Sequence, residues 1–161
     1  MTEHHWIGCT PNPHDYFGFI YLITDLTSGR MYLGKRQYWS SRQRIKGCKS
    51  KVTDRQSPKW KPCCWSESDW RFYKGSSKSF AKWQEEHPNH EYEYRIIREC
   101  RCRGTLHYAE VEAQVKCGAL TARDSDGEKI FFNRQIAACK FVPPIIYKDE
   151  WWLVDLGGIT L

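Results

Sequence analysis

Residues Phe17 to Thr24 read Phe-Gly-Phe-Ile-Tyr-Leu-Ile-Thr. A run so dense in aromatic and β-branched side chains is a buried strand. Asp25 to Gly29 follows as a turn, with Ser28-Gly29 at its tip, and Arg30 to Gly34 resumes extended structure. These two runs give a β-hairpin. Glu91 to Glu99 supplies a third strand. Ser76 to Glu86 has helical spacing, with Phe80 and Trp83 three apart and Ser76 or Ser77 placed as the cap. Thr105 to Leu120 is the strongest helix, because Leu106, Ala109, Ala113 and Cys117 share one face and Gly118 stands near its end. Asp124 to Gly127 reads as a turn and Ile130 to Asn133 as a short extended piece. The expected class is α+β: a small antiparallel sheet of about three strands flanked by helices.

Between hairpin and first helix the chain changes character. From Lys35 to Lys78 there are thirteen Lys and Arg against three acids, a local balance of +10 in a chain whose net charge is +6. Such segregation suits a polyanion-binding face, since each phosphate neutralised releases condensed counterions. One short helix is expected around Trp39 to Lys46, and Gly47 to Cys64 is expected to be a mobile loop. Eight Trp, nine Tyr and seven Phe serve packing and nucleotide contact alike. No apolar run approaches the roughly 20 residues that cross a membrane. The N-terminal residues lack the basic-then-apolar order of a secretory signal, so a cytoplasmic protein is expected. The eight cysteines do not form the paired spacings of a structural zinc site. Free thiols are the expected state, with a site built from Cys48 and Cys63 or Cys64, or from His4, His5, Cys9 and His14, as the alternative.

Four blocks in one order carry a family resemblance. Gly18-Phe19-Ile20-Tyr21, ten residues, then Tyr32-Leu33-Gly34-Lys35 resembles the signature of the GIY-YIG nucleases. Ser66-Glu67-Ser68-Asp69-Trp70-Arg71-Phe72-Tyr73-Lys74-Gly75-Ser76-Ser77-Lys78 resembles a block of the phage, Seg-like branch of that superfamily. Leu106 to Gln114 is similar to that branch's helix with Glu at Glu110, and Phe131-Phe132-Asn133 falls where the family has Tyr-x-Asn. Together the blocks span roughly residues 17 to 136.

The resemblance implies hydrolysis of DNA phosphodiesters with one Mg²⁺ or Mn²⁺. It makes Tyr21 the general base that activates water, Tyr32 a phosphate or water contact, and Glu110 the metal ligand. Glu112 points to another side of its helix. Asn133 would close the pocket floor. An unperturbed phenol has a pKa near 10, and Lys35, Arg36 and Arg42 are expected to lower it. Arg42 has the family's spacing for a phosphate clamp, but Lys46 stands where His or Tyr is usual. The clamp therefore stays open among Arg42, Arg44 and Arg71. The arrangement demands that a hairpin phenol, Tyr21, and the helix carboxylate of Glu110 converge on one phosphate.

The expected organisation is an N-terminal arm at 1–16, a GIY-YIG nuclease domain at 17–142 with a basic insertion at about 46–65, and an aromatic tail at 143–161. That tail packs back on the domain or on a partner, so a homodimer is possible. A catalytically silent nucleic-acid-binding module is the alternative function, keeping the basic segment and base-stacking aromatics without needing Tyr21 or Glu110. A zinc-supported interaction protein built on the cysteines is a third.

Overall fold

The computed structural model describes residues 4–41 and 51–136. Strands β1 (Gly18–Asp25), β2 (Met31–Gln37) and β5 (Tyr92–Cys100) form an antiparallel sheet in the order β2-β1-β5. Two very short strands, β3 (Trp39–Ser41) and β4 (Trp65–Glu67), pair separately, and helices α1 (Lys78–Glu86) and α2 (Arg103–Lys116) complete the fold. The α+β expectation holds.

β1 is central and covered on both faces, which is why its sequence is apolar throughout rather than alternating. Ile20 and Leu22 point with Leu33 and Ile97 toward α2, whose Leu106, Ala109 and Ala113 pack against them. The two alanines, one turn apart, present no side chain long enough to hold the helix off the sheet. Phe19, Tyr21 and Ile23 point the other way, against Trp6, Tyr38, Trp70 and Phe80. Trp6 is therefore part of the core, held by its indole N–H donating to Trp70 O at 2.7 Å, and Ile7 bridges to Arg95 of β5.

Ser77 caps α1 by accepting from Phe80 N at 3.3 Å. Asp25, fully buried at the end of β1, accepts from Thr27 N, Ser28 N, Ser28 Oγ and Trp83 Nε1, and meets His90 Nδ1 at 2.8 Å. One carboxylate thus ties the hairpin turn to α1 and to the loop that leads into β5. Burial alone would raise its pKa. The hydrogen bonds from His90, Trp83 and Ser28 outweigh that and hold it well below the usual carboxylate range.

The segment after β2 departs from expectation. Trp39–Ser41, assigned to a helix from sequence, is a strand paired with Trp65–Glu67, and the rest of that helix, to Lys46, lies outside the described residues. From residue 51 onward the basic loop is anchored rather than loose. Arg55 lies over both Trp39 and Trp60, at 4.5 and 4.6 Å, and Trp60 stacks on Trp65. Asp54 pairs with Arg101, and Thr53 Oγ1 accepts from Arg103 N at the start of α2. The residues 143–161 lie outside the described ones. No helix among the described residues is long and apolar enough to cross a membrane.

Candidate active site

β2 is an edge strand, and its outer edge shapes the site. In an antiparallel pair alternate residues turn their N–H and C=O away from the partner strand. Here those are Met31, Leu33, Lys35 and Gln37. The 130–133 segment covers the first two. Met31 N donates to Ile130 O, Phe132 N donates to Met31 O, and the Asn133 side chain closes Leu33. Leu33 N donates to Asn133 Oδ1 at 3.1 Å, and Asn133 Nδ2 donates to Leu33 O at 2.8 Å. The buried Asn133 amide thus stands in for one more strand residue, and at Lys35, the next residue to turn outward, no described residue covers the edge.

There a cleft of about 490 Å³ opens, lined among others by Tyr32, Lys35, Glu110, Gln114 and Asn133. Tyr32 comes from one face of β2 and Lys35 from the other, so the cleft wraps around the strand's edge. Glu110 and Gln114 stand one turn apart on α2 and look into it together. The Lys35 ammonium forms an ion pair with the Glu110 carboxylate. Gln114 is buried; its Nε2 donates to Leu33 O at 3.5 Å, while its Oε1 has no hydrogen-bond partner among the described residues. His107, one turn before Glu110, has its pKa lowered by burial and by the nearby Lys35 charge, with Glu110 opposing.

The loop Gly75–Ser77 forms the opposite wall. Gly75 has φ +100, a left-handed conformation that L side chains rarely adopt, and a Cβ there would meet the Tyr32 ring at 3.4 Å. Glycine thus lets the loop lie against that ring, with Ser76 Oγ 3.3 Å from Tyr32 Oη. Burial pushes the Tyr32 phenol above its ordinary value. Tyr73 and Glu110 add to this, and the Ser76 contact opposes it.

Tyr21 is placed differently from the sequence expectation. It shares a sheet face with Tyr32, as a diagonal cross-strand neighbour with ring centroids 6.1 Å apart. Yet it is fully buried and does not line the cleft that Glu110 lines. Its ring sits behind Tyr32, under Tyr73 and Trp6, with its Oη beside the Tyr32 and Tyr73 hydroxyls. It also lies over Gly34, where a Cβ would come within 2.6 Å of that oxygen. Burial, with the Tyr32 and Tyr73 hydroxyls alongside, raises its pKa well above 10. The expected lowering by neighbouring cations is reversed, because a phenolate inside an aromatic layer loses more solvation than distant cations return.

The clamp candidates separate. Arg71 pairs with Glu67 at 2.8 Å, lies over Trp70 at 4.5 Å, and does not line the cleft. Arg42 and Arg44 lie outside the described residues. Arg36 lies over the Tyr73 ring at 4.0 Å and pairs with Asp69. Glu112 faces away from Glu110, pairing with Arg98 at 3.3 Å and Lys116 at 2.9 Å. Gln114 and Ser76 were not singled out from sequence. The Glu110-to-Gln114 spacing of one helical turn was the available signal for the first, and membership of the Ser66–Lys78 block for the second.

Cys64 is bonded in a disulfide, against the expectation of thiols throughout. Cys9, Cys63, Cys100, Cys102 and Cys117 keep their thiols, outside any disulfide. Among the described residues no group of three or more His, Cys, Asp or Glu is placed to hold a metal ion.

Residues 2–136 match the family model described as "Putative endonuclease segE, GIY-YIG domain". No curated protein and no solved structure matches the chain.

Proposed function

Since this chain belongs to the segE-type GIY-YIG endonuclease family, we propose that it is a metal-dependent DNA endonuclease working in the cleft at the β2 edge. The observation that carries this reading is the meeting of Tyr32 and Lys35 of β2, Glu110 of α2 and Asn133 around one cavity, from three separate stretches of chain.

The donors present fit a hard divalent ion. Glu110 offers a carboxylate, and Gln114 Oε1 is a buried oxygen without a partner among the described residues, one helical turn away. Mg²⁺ or Mn²⁺ takes oxygen ligands and shares most positions with water and substrate phosphate, so one or two protein oxygens suffice. Bound there, the ion supplies positive charge to the scissile phosphate and the leaving oxygen.

The chain's own groups divide the remaining work. Tyr32 turns its oxygen to the attacking water and orients it. Tyr21 braces Tyr32 from behind rather than acting as the base. Lys35, released from Glu110, neutralises the phosphate, and Asn133 fixes the strand edge that carries both. In the reaction a bond forms from water oxygen to phosphorus, the bond to the leaving nucleoside oxygen breaks and that oxygen takes a proton from solvent, and the attacking water's proton passes to solvent or to the ionised form of Tyr32.

Incubation with supercoiled plasmid tests the reading. Nicking that requires Mg²⁺ or Mn²⁺ and disappears in Glu110→Ala is expected. DNA binding with no cutting in either metal would instead support the silent binding module, to which the Lys35–Glu110 pair lends some weight.

A further inference from the structure

The outer edge of β2 carries a gap one residue wide. Leu33 is closed by Asn133, and Gln37 O accepts from Ser68 Oγ at 2.5 Å. Lys35, midway between them, turns its N–H and C=O outward by the same alternation, and no described residue closes them. Two cavities meet at this residue. One is the cleft already described; the other, of about 250 Å³, is lined by Lys35, Arg36, Gln37, Ser40 and Ser68. That second lining holds two cations and two hydroxyls but no acid.

An open strand edge can accept another strand, but a strand needs alternate residues open in succession. Here Leu33 is closed at both its groups and Gln37 at its C=O, which leaves room for a single small acceptor group rather than a strand. An outward N–H flanked by ammonium, guanidinium and hydroxyls suits an anion oxygen. Arg36 is held in advance by the Tyr73 ring on one side and Asp69 at its end. Its planar fork therefore loses little freedom on binding. Its Nε is buried with no acceptor among the described residues.

Resting on the nuclease reading above, we propose that this second cavity seats a phosphate next to the one being cut, so that the DNA backbone crosses the β2 edge at Lys35. Lys35 then belongs to both seats and sets the register between them.

Equilibrium binding of the full chain to a fluorescein-labelled random-sequence DNA duplex, in EDTA across a range of NaCl, tests this. The slope of log Kd against log salt counts the phosphates neutralised. Ser40 is exposed, so Ser40→Glu puts a carboxylate at the cavity without disturbing the core. Leu26→Glu makes the same charge change at the β1–β2 turn, the far end of the hairpin, where Leu26 is 55% exposed. The Ser40→Glu slope is expected to fall by about 0.9, one phosphate on duplex DNA, while Leu26→Glu keeps the wild-type slope. In amide spectra the Lys35 N–H is expected to shift when the duplex is added and the Leu33 N–H to stay. A wild-type slope in Ser40→Glu, or an equal fall in Leu26→Glu, overturns the proposal. Plasmid cutting reports separately: a chain with these slopes that cuts in no metal keeps the phosphate seat and loses the nuclease.

Discussion

The ammonium of Lys35 sits on the carboxylate of Glu110, at the point where a strand edge and a helix face border the same cleft. Both side chains are mostly shielded from solvent, so the pair is worth more than an exposed one, but neither is beyond the reach of a competing ion. It gives Glu110 a resting partner that a metal must displace.

Lys35→Ala is therefore expected to tighten Mn²⁺ binding, by about twofold to fivefold if the pair contributes on the order of 0.5–1 kcal/mol, while weakening DNA binding. Electron paramagnetic resonance counts free Mn²⁺ directly. Unchanged or weaker Mn²⁺ affinity would mean that Glu110 does not hold the ion. Glu110→Ala should abolish both Mn²⁺ binding and cutting.

Tyr32→Phe and Tyr21→Phe should behave oppositely. Removing the Tyr32 hydroxyl takes away the group that faces water, and cutting should drop by about 10²–10⁴-fold. Removing the Tyr21 hydroxyl deletes a buried oxygen that lies behind the cleft, beside the Tyr32 and Tyr73 hydroxyls. Stability should then change by no more than about 1 kcal/mol, with most activity kept. Should Tyr21→Phe be the inactive variant, the base is Tyr21 after all.

The pH dependence follows from the same phenols. Burial raises Tyr32 above 10, so near neutral pH it is protonated in nearly every molecule. If its ionised form takes the water's proton, the rate at saturating metal should climb about tenfold per pH unit from 7 to 9 without levelling. A plateau near pH 7 would exclude Tyr32 in that role.

Asn133→Ala removes the partner of the buried Leu33 N–H and the shorter of the two bonds to Leu33 O, leaving only Gln114 Nε2 at 3.5 Å. Unsatisfied buried backbone costs about 1–3 kcal/mol, or a fall of roughly 2–10 °C in Tm for a domain of this size. Calorimetry reads it. Asn133→Asp, which keeps the acceptor but loses the Nδ2 donor, should recover only part of the loss.

Asp25 makes acid stability a readout of the hairpin anchor. Its folded pKa lies below its unfolded value, so its contribution is complete above the unfolded range near 4 and is lost as pH falls through the folded pKa. Asp25→Asn should lower Tm at pH 7 and flatten the dependence of Tm on pH below 4. Parallel melting profiles for the two proteins would remove Asp25 from the account.

The hairpin, third strand and both helices were legible because each carries its own period or cap: the dense run of β1, Ser77 before α1, the Leu106-Ala109-Ala113 stripe of α2. Trp39–Ser41 was not, because three residues have no periodicity and become a strand only by pairing with Trp65–Glu67, more than twenty residues on. The site was half legible. The family resemblance picked out Tyr21, Tyr32 and Glu110, and the hairpin brings the two phenols to one sheet face. The sequence could not say which phenol stays open, since Tyr21 is covered by Trp6 and Tyr73, which arrive from opposite directions along the chain.

Gly34 and Tyr21 fill one volume between them, the bare Cα on one strand making room for the ring on the next. Neither position can drift alone during evolution. A methyl at 34 evicts the ring, and a smaller residue at 21 leaves Tyr32 unsupported. Related chains should therefore exchange these two positions as a couple or not at all, and comparing many of them would reveal that covariation without a single assay.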